Sequence, residues 1–148
     1  MNRIRPYTDD FMRWDEEQRK YFLTETALLS FGIDLRGRLA QTKATDPTLM
    51  INMILRNITQ TVYSYIHSFN DSTTQDNIIA TVGSARKVLF NALCEQALYV
   101  CALGDQAYSM DEAKIRLMVS PHAKNILNDT NLPEYGVPLT YMGVWHCV

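Results

Sequence analysis

Residues 46–72 read DPTLMINMILRNITQTVYSYIHSFNDS. Apolar side chains recur at Met50, Ile51, Ile54, Leu55, Ile58, Val62, Tyr65, Ile66 and Phe69, a helical period held over about six turns. The opposite side carries Asn52, Arg56, Gln60 and Ser64. Asp46 suits an N-cap and Pro47 the first helical position, where its missing N–H costs nothing. Asn70-Asp71-Ser72 breaks the pattern. A long amphipathic helix with an apolar stripe needs other helices to cover it, so a helical bundle is expected.

Downstream, a second long helix is expected from Thr73 or Thr74 to Gly104-Asp105, bent or interrupted at Gly83-Ser84. Its apolar side is wide, with Phe90, Ala97 and Leu98 beside the Ala85, Leu89, Leu93 stripe, which implies contact with more than one neighbour. Ser109-Met110-Asp111-Glu112 has capping-box spacing and predicts a short helix to about Leu117. The alternation from Lys114 to Val119 suits a strand instead. Ser120-Pro121 opens a short helix with Ala123, Ile126 and Leu127 inward.

Upstream, Thr8 to Phe31 reads as helix. Thr8 or Asp9 is the cap, acid fills the early turns at Asp10, Asp15, Glu16 and Glu17, and Gly32 is the stop. The broken stripe of Phe11, Trp14, Phe22, Ala27 and Leu28 predicts two helices meeting near Gln18 to Tyr21. Asp34 to Ala40 predicts a further short helix, weakened by Gly37.

From Thr130 the character changes. Pro133, Gly136 and Pro138 forbid a continuous helix. Yet Leu132, Tyr135, Val137, Leu139, Tyr141, Met142, Val144 and Trp145 are too apolar for a solvated tail. This stretch either packs back on the helices or docks on another chain. The expectation is a mainly α chain, a bundle of two long helices and several short ones over residues 1–130, with an extended C-terminal arm over 131–148.

The 148 residues fit one domain able to bury a core without staples. The composition, 47% hydrophobic and 20% charged, is globular. A net charge of −2 argues against a broad phosphate-neutralising surface. No stretch near the N-terminus reads as a secretory signal, and none approaches the roughly 20 apolar residues of a membrane helix. Without an export signal the sequons at Asn57, Asn70 and Asn128 carry no weight.

Catalytic signatures are lacking. His67, His122 and His146 form no metalloprotease-type pair, and no Cys-x-x-Cys occurs. His146-Cys147 could meet Cys94 or Cys101 at a metal only if the fold brought them together. Cys94 and Cys101 lie two helical turns apart, roughly 10 Å, too far for a disulfide within one helix. They read as buried thiols. No glycine-flanked nucleophile turn or phosphate-cradling loop is present. Asp15, Glu16 and Glu17 read as a solvated acidic face. Glu95, set in the wide apolar part of the second long helix, would need pairing if buried, with Arg56 or Arg86 as partner. Eight tyrosines and seven methionines suit protein contact as well as core.

Ala92-Leu93-Cys94-Glu95-Gln96-Ala97-Leu98-Tyr99 followed by Gly104-Asp105 resembles the central helix and turn of tailed-phage head–tail connector (adaptor) proteins. Ser120-Pro121-His122-Ala123 through Ile126-Leu127 to Tyr135-Gly136 resembles the short helix and arm that follow there, and Val62-Tyr63-Ser64-Tyr65-Ile66 suits the preceding helix. The likeness spans roughly the C-terminal two thirds. It implies a non-enzymatic virion protein without cofactor or metal, built in the host cytoplasm and placed in the neck. It implies a homo-oligomeric ring of about twelve copies between the portal protein and the tail or neck proteins, with DNA passing through unbound. Leu132, Tyr135, Val137, Leu139, Tyr141, Met142 and Trp145 would then contact the partner. Two other readings compete. One is a small helical ligand-binding or regulatory module with a Tyr-, Met- and Cys-lined pocket; the other is an enzyme using Glu95 and a histidine.

Overall fold

A computed structural model describes residues 7–41, 45–69, 71–102, 118–129 and 139–141. A 3-10 turn, Asp9–Phe11, leads into strands β1 (Met12–Asp15) and β2 (Lys20–Leu23). Helices follow: α1 (Glu25–Ser30), α2 (Leu35–Gln41), α3 (Pro47–His67), α4 (Ser72–Thr81), α5 (Gly83–Ala102) and α6 (Pro121–Asn128). A second 3-10 turn covers Leu139–Tyr141. The fold is mainly α, as the periodicity predicts.

Four helices begin in the same way. Thr24, Asp46, Asp71 and Ser120 each accept the N–H three residues on, from Ala27, Leu49, Thr74 and Ala123. Each side chain thereby satisfies one of the donors that a helix start leaves without an intrahelical partner. Pro47 and Pro121 occupy the first turns of α3 and α6 as expected. Gly32, at φ +87°, closes α1. Its N–H reaches the Leu29 carbonyl at 3.1 Å, and the Ile33 N–H reaches that of Leu28 at 3.0 Å. This is a Schellman closure, with Leu28 and Ile33 as its buried apolar pair.

One expectation is refined and another corrected. The second long helix is interrupted, but at Val82, which is extended (φ −103°, ψ 115°) between α4 and α5, and Gly83 is the first residue of α5 rather than the break. Residues 12–23 are an antiparallel hairpin rather than helix, with Met12 opposite Leu23 and Trp14 opposite Tyr21. Its turn is built without glycine. The Asp15 carboxylate takes the Gln18 N–H at 3.0 Å, the Asp15 carbonyl takes the Arg19 N–H at 2.7 Å, and Arg19 adopts φ 54°. The expected helix over Ser109 to Leu117, and its strand alternative, lie outside the described residues apart from Met118 and Val119, which belong to no helix or strand.

The core is organised around α5, whose Val88, Leu89, Phe90, Ala92, Leu93, Cys94 and Ala97 are all inaccessible to solvent. It packs on α6, α3, α4 and α1, the several neighbours its breadth implies. From α3 come Ile51, Ile58, Val62 and Ile66; from α6 come Ala123, Ile126 and Leu127. Phe90 also meets Tyr7 edge-on and Phe11 stacked, at 5.3 and 5.5 Å between centroids, which fixes the entry to the hairpin.

Strand β2 lies with its free margin along α3. The Leu23 N–H donates to Thr59 Oγ1 at 3.2 Å and the Tyr21 N–H donates to the Tyr63 hydroxyl at 3.0 Å. Two residues of strand rise about 6.6 Å and four of helix about 6 Å, so hydroxyls one helical turn apart match alternate strand amides. Among the described residues no helix is long and apolar enough to cross a membrane.

Candidate functional site

Of the seven side chains expected to contact a partner, Leu139 is fully buried on its own chain. That corrects its assignment as a contact residue: its carbonyl accepts from Gln75 Nε2 at 2.6 Å, and its 3-10 turn packs on α6 and α3. The Thr140 hydroxyl lies 3.1 Å from the Leu127 carbonyl and also contacts Asn128 Oδ1. Asn128 Nδ2 donates to the Tyr65 hydroxyl at 2.8 Å, so both ends of that sequon side chain are engaged within the fold. Of Tyr141 only the backbone is described. Leu132, Tyr135, Val137, Met142 and Trp145 lie outside the described residues.

An open cleft of about 450 Å³ lies between the hairpin and α3. Its apolar part is Phe22, Leu23 and Leu55, all buried against the core. Arg13 reaches it from β1 and Arg56 from the outer face of α3. The Arg13 guanidinium sits 5.9 Å from the ring centroid of Phe22, its cross-strand partner, which holds the charge at the rim. Among the described residues neither arginine has an ion-pair partner.

Two carboxylates also line the cleft. Glu25 is already held by Arg36, whose Nε and Nη2 reach Oε2 and Oε1 at 3.1 and 3.0 Å, a bidentate pair. Asp15 is committed at one oxygen to the Gln18 amide of the turn. Two guanidiniums therefore face one carboxylate without a basic partner, and the cleft keeps a positive excess. Thr24, Gln18 and Asn52 add neutral polar groups. None of the lining residues is a tyrosine, methionine or cysteine, the types expected for a pocket between helices.

The outer stripe of α3 continues from the cleft. Leu49, Asn52, Met53 and Arg56 follow helical spacing on one face, and Leu49 and Met53 are each 56% exposed. The periodicity placed Asn52 and Arg56 on this outer side. It also assigned Leu49 and Met53 to no buried position, a signal for surface that composition alone does not carry.

Other polar groups link elements of the fold. His67 Nε2 lies 3.0 Å from Asp76 Oδ1, and Lys20 Nζ lies 3.5 Å from the other oxygen, joining α3, α4 and β2. Arg86, considered for Glu95, instead donates to the Tyr21 hydroxyl at 3.2 Å. Arg56 lies at the cleft, and Glu95 is half-buried. Cys94 is buried and Cys101 partly so; burial pushes the Cys101 thiol above its usual range, with Arg38 opposing. His146 and Cys147 lie outside the described residues. Among the described residues no three His, Cys, Asp or Glu side chains gather as a metal site.

Residue types alone do not reveal the cleft, because its members come from β1, β2, the start of α1 and α3, and residues 12–23 carry a helix-like pattern. The chain matches no protein-family model, no curated protein and no solved structure.

Proposed function

We propose that the chain is a structural assembly subunit, in its most specific form a head–tail connector of a tailed-phage virion that forms a ring between portal and tail. The observation that supports this best is the uncovered apolar pair on α3. Leu49 and Met53 stand one turn apart on a helix whose other face is fully packed, beside a cleft with unpaired positive charge. A contiguous apolar and charged surface of this kind suits a protein partner.

The quoted motif Ala92 to Tyr99 falls on the central, buried α5, and Ser120 to Leu127 on a capped short helix against it. The 3-10 turn at Leu139 then returns to the body, and Met142, Val144 and Trp145 follow it in the chain. A heterologous contact repeated around an axis closes into a ring when its rotation divides the circle.

Native mass spectrometry and negative-stain electron microscopy of the full chain test the reading. Rings of one defined copy number are the expected result, and a Leu49→Ser/Met53→Ser variant that keeps its helicity should lose association with capsids or tails. A strict monomer at high concentration that also fails to associate with capsids or tails would overturn it.

A further inference from the structure

We infer that the cleft between the hairpin and α3 is a receptor for an acidic segment of a different protein, one whose carboxylates are flanked by apolar side chains. The inference rests on the assembly reading and names the partner's chemistry.

Charge sets the first requirement. Arg13 and Arg56 approach the cleft from opposite elements, β1 and α3, and neither is neutralised by a described side chain. Glu25 is occupied by Arg36, so among the described lining residues only Asp15 opposes them. Arginine presents a planar fork suited to carboxylate, and a pair of them favours an anion over a neutral or cationic ligand.

Shape sets the second. The cleft is open, and the exposed Leu49 and Met53 lie three residues along α3 from its lining residues Asn52 and Arg56, so an occupant held by the arginines can extend over an apolar ridge. A small free carboxylate would leave that ridge bare; a peptide with aliphatic or aromatic neighbours to its acid would cover it. The volume of about 450 Å³ accommodates several side chains. Phe22, Leu23 and Leu55 beneath are already fixed by the core, so the receptor needs little rearrangement.

The test uses the full chain and a fluorescein-labelled synthetic peptide with the core Glu-Leu-Leu-Glu, read by fluorescence anisotropy. Saturable binding that weakens as salt is raised is expected. Arg13→Gln and Arg56→Gln should each weaken it by at least about tenfold, and Arg→Lys at either position by less. A peptide with the core Lys-Leu-Leu-Lys should neither bind nor compete. Arg→Gln variants that bind like the parent overturn the inference, as does equal competition by the lysine peptide or absence of binding by the glutamate peptide. Circular dichroism of each variant separates loss of binding from loss of fold.

Native mass spectrometry of the same variants identifies the source. Oligomers that survive Arg56→Gln while peptide binding is lost support an outside partner. Oligomers abolished together with peptide binding would make the occupant a second copy of this chain and overturn the assignment to a different protein. A monomeric parent that nonetheless binds the glutamate peptide keeps this inference and removes the ring.

Discussion

Gln96 grips the chain on both sides of Val119: Ser120 donates its N–H to Gln96 Oε1 at 2.8 Å, and Gln96 Nε2 donates to the Met118 carbonyl at 3.0 Å. One buried amide thus does what a neighbouring strand would do for this irregular stretch. Ser120 in turn caps α6 through Ala123, so α5 sets where α6 begins.

Replacing Gln96 by leucine keeps the volume and removes both bonds, leaving a buried donor and a backbone acceptor without partners. The expected loss is on the order of 2–4 kcal/mol, measured by urea unfolding. A loss below about 0.5 kcal/mol would show that Gln96 does not anchor α6.

The hydroxyls of Thr59 and Tyr63 are expected to matter singly and together. Thr59→Val and Tyr63→Phe each strand one backbone amide of β2, at about 1–3 kcal/mol. Hydrogen exchange should locate the loss at Leu23 for the first and Tyr21 for the second. Protection unchanged at both amides in both variants would refute the match between strand and helix.

Burial raises the Tyr63 phenol above its usual value near 10, even though the Tyr21 amide bond opposes the shift. The sign follows from linkage. The folded chain retains a proton that the unfolded chain releases, so this contribution is complete below about pH 10 and declines as pH climbs beyond it. Urea midpoints followed into alkali should fall, and less steeply in Tyr63→Phe. Parallel curves for the two proteins would exclude Tyr63 as a source.

Arg19 and Gly32 both occupy left-handed backbone, so opposite substitutions should move stability in opposite directions. Arg19→Gly relieves a conformation that L side chains disfavour and should stabilise by about 0.5–1 kcal/mol. Gly32→Ala meets nothing within 4 Å, yet should cost about 1 kcal/mol because φ is +87°. Thermal unfolding of the two variants decides both.

Thiol labelling reads the core. In a Cys147→Ser background, buried Cys94 and the raised Cys101 thiol should react at neutral pH at least about tenfold more slowly than a free thiol. Denaturant should release both. Fast reaction of Cys94 in native protein would contradict its place in the α5 core.

Much of the helical order was legible. Asp46-Pro47 and Ser120-Pro121 fixed two helix starts, and Gly32 fixed one end, because caps act locally. The hairpin was not, for an equally local reason. Its turn carries Arg19 where glycine or asparagine normally announces positive φ, and Asp15, Glu16 and Glu17 imitate the acidic first turn of a helix. The break lies at Val82, one residue before the glycine that signals it, and Gly83 itself starts α5. The cleft is not visible in the sequence because Arg13 and Arg56 are distant along the chain and come to line one cleft only once the hairpin lies along α3. The burial of Leu139 was one of two alternatives that apolar composition left open.

A two-stranded ribbon ordinarily offers two margins to which a foreign strand can add. Here Thr59 and Tyr63 plug the margin of β2, which leaves at most the four-residue margin of β1 to another strand. Growth by strand addition would require both sides to be open, and so the hairpin cannot template an indefinite stack.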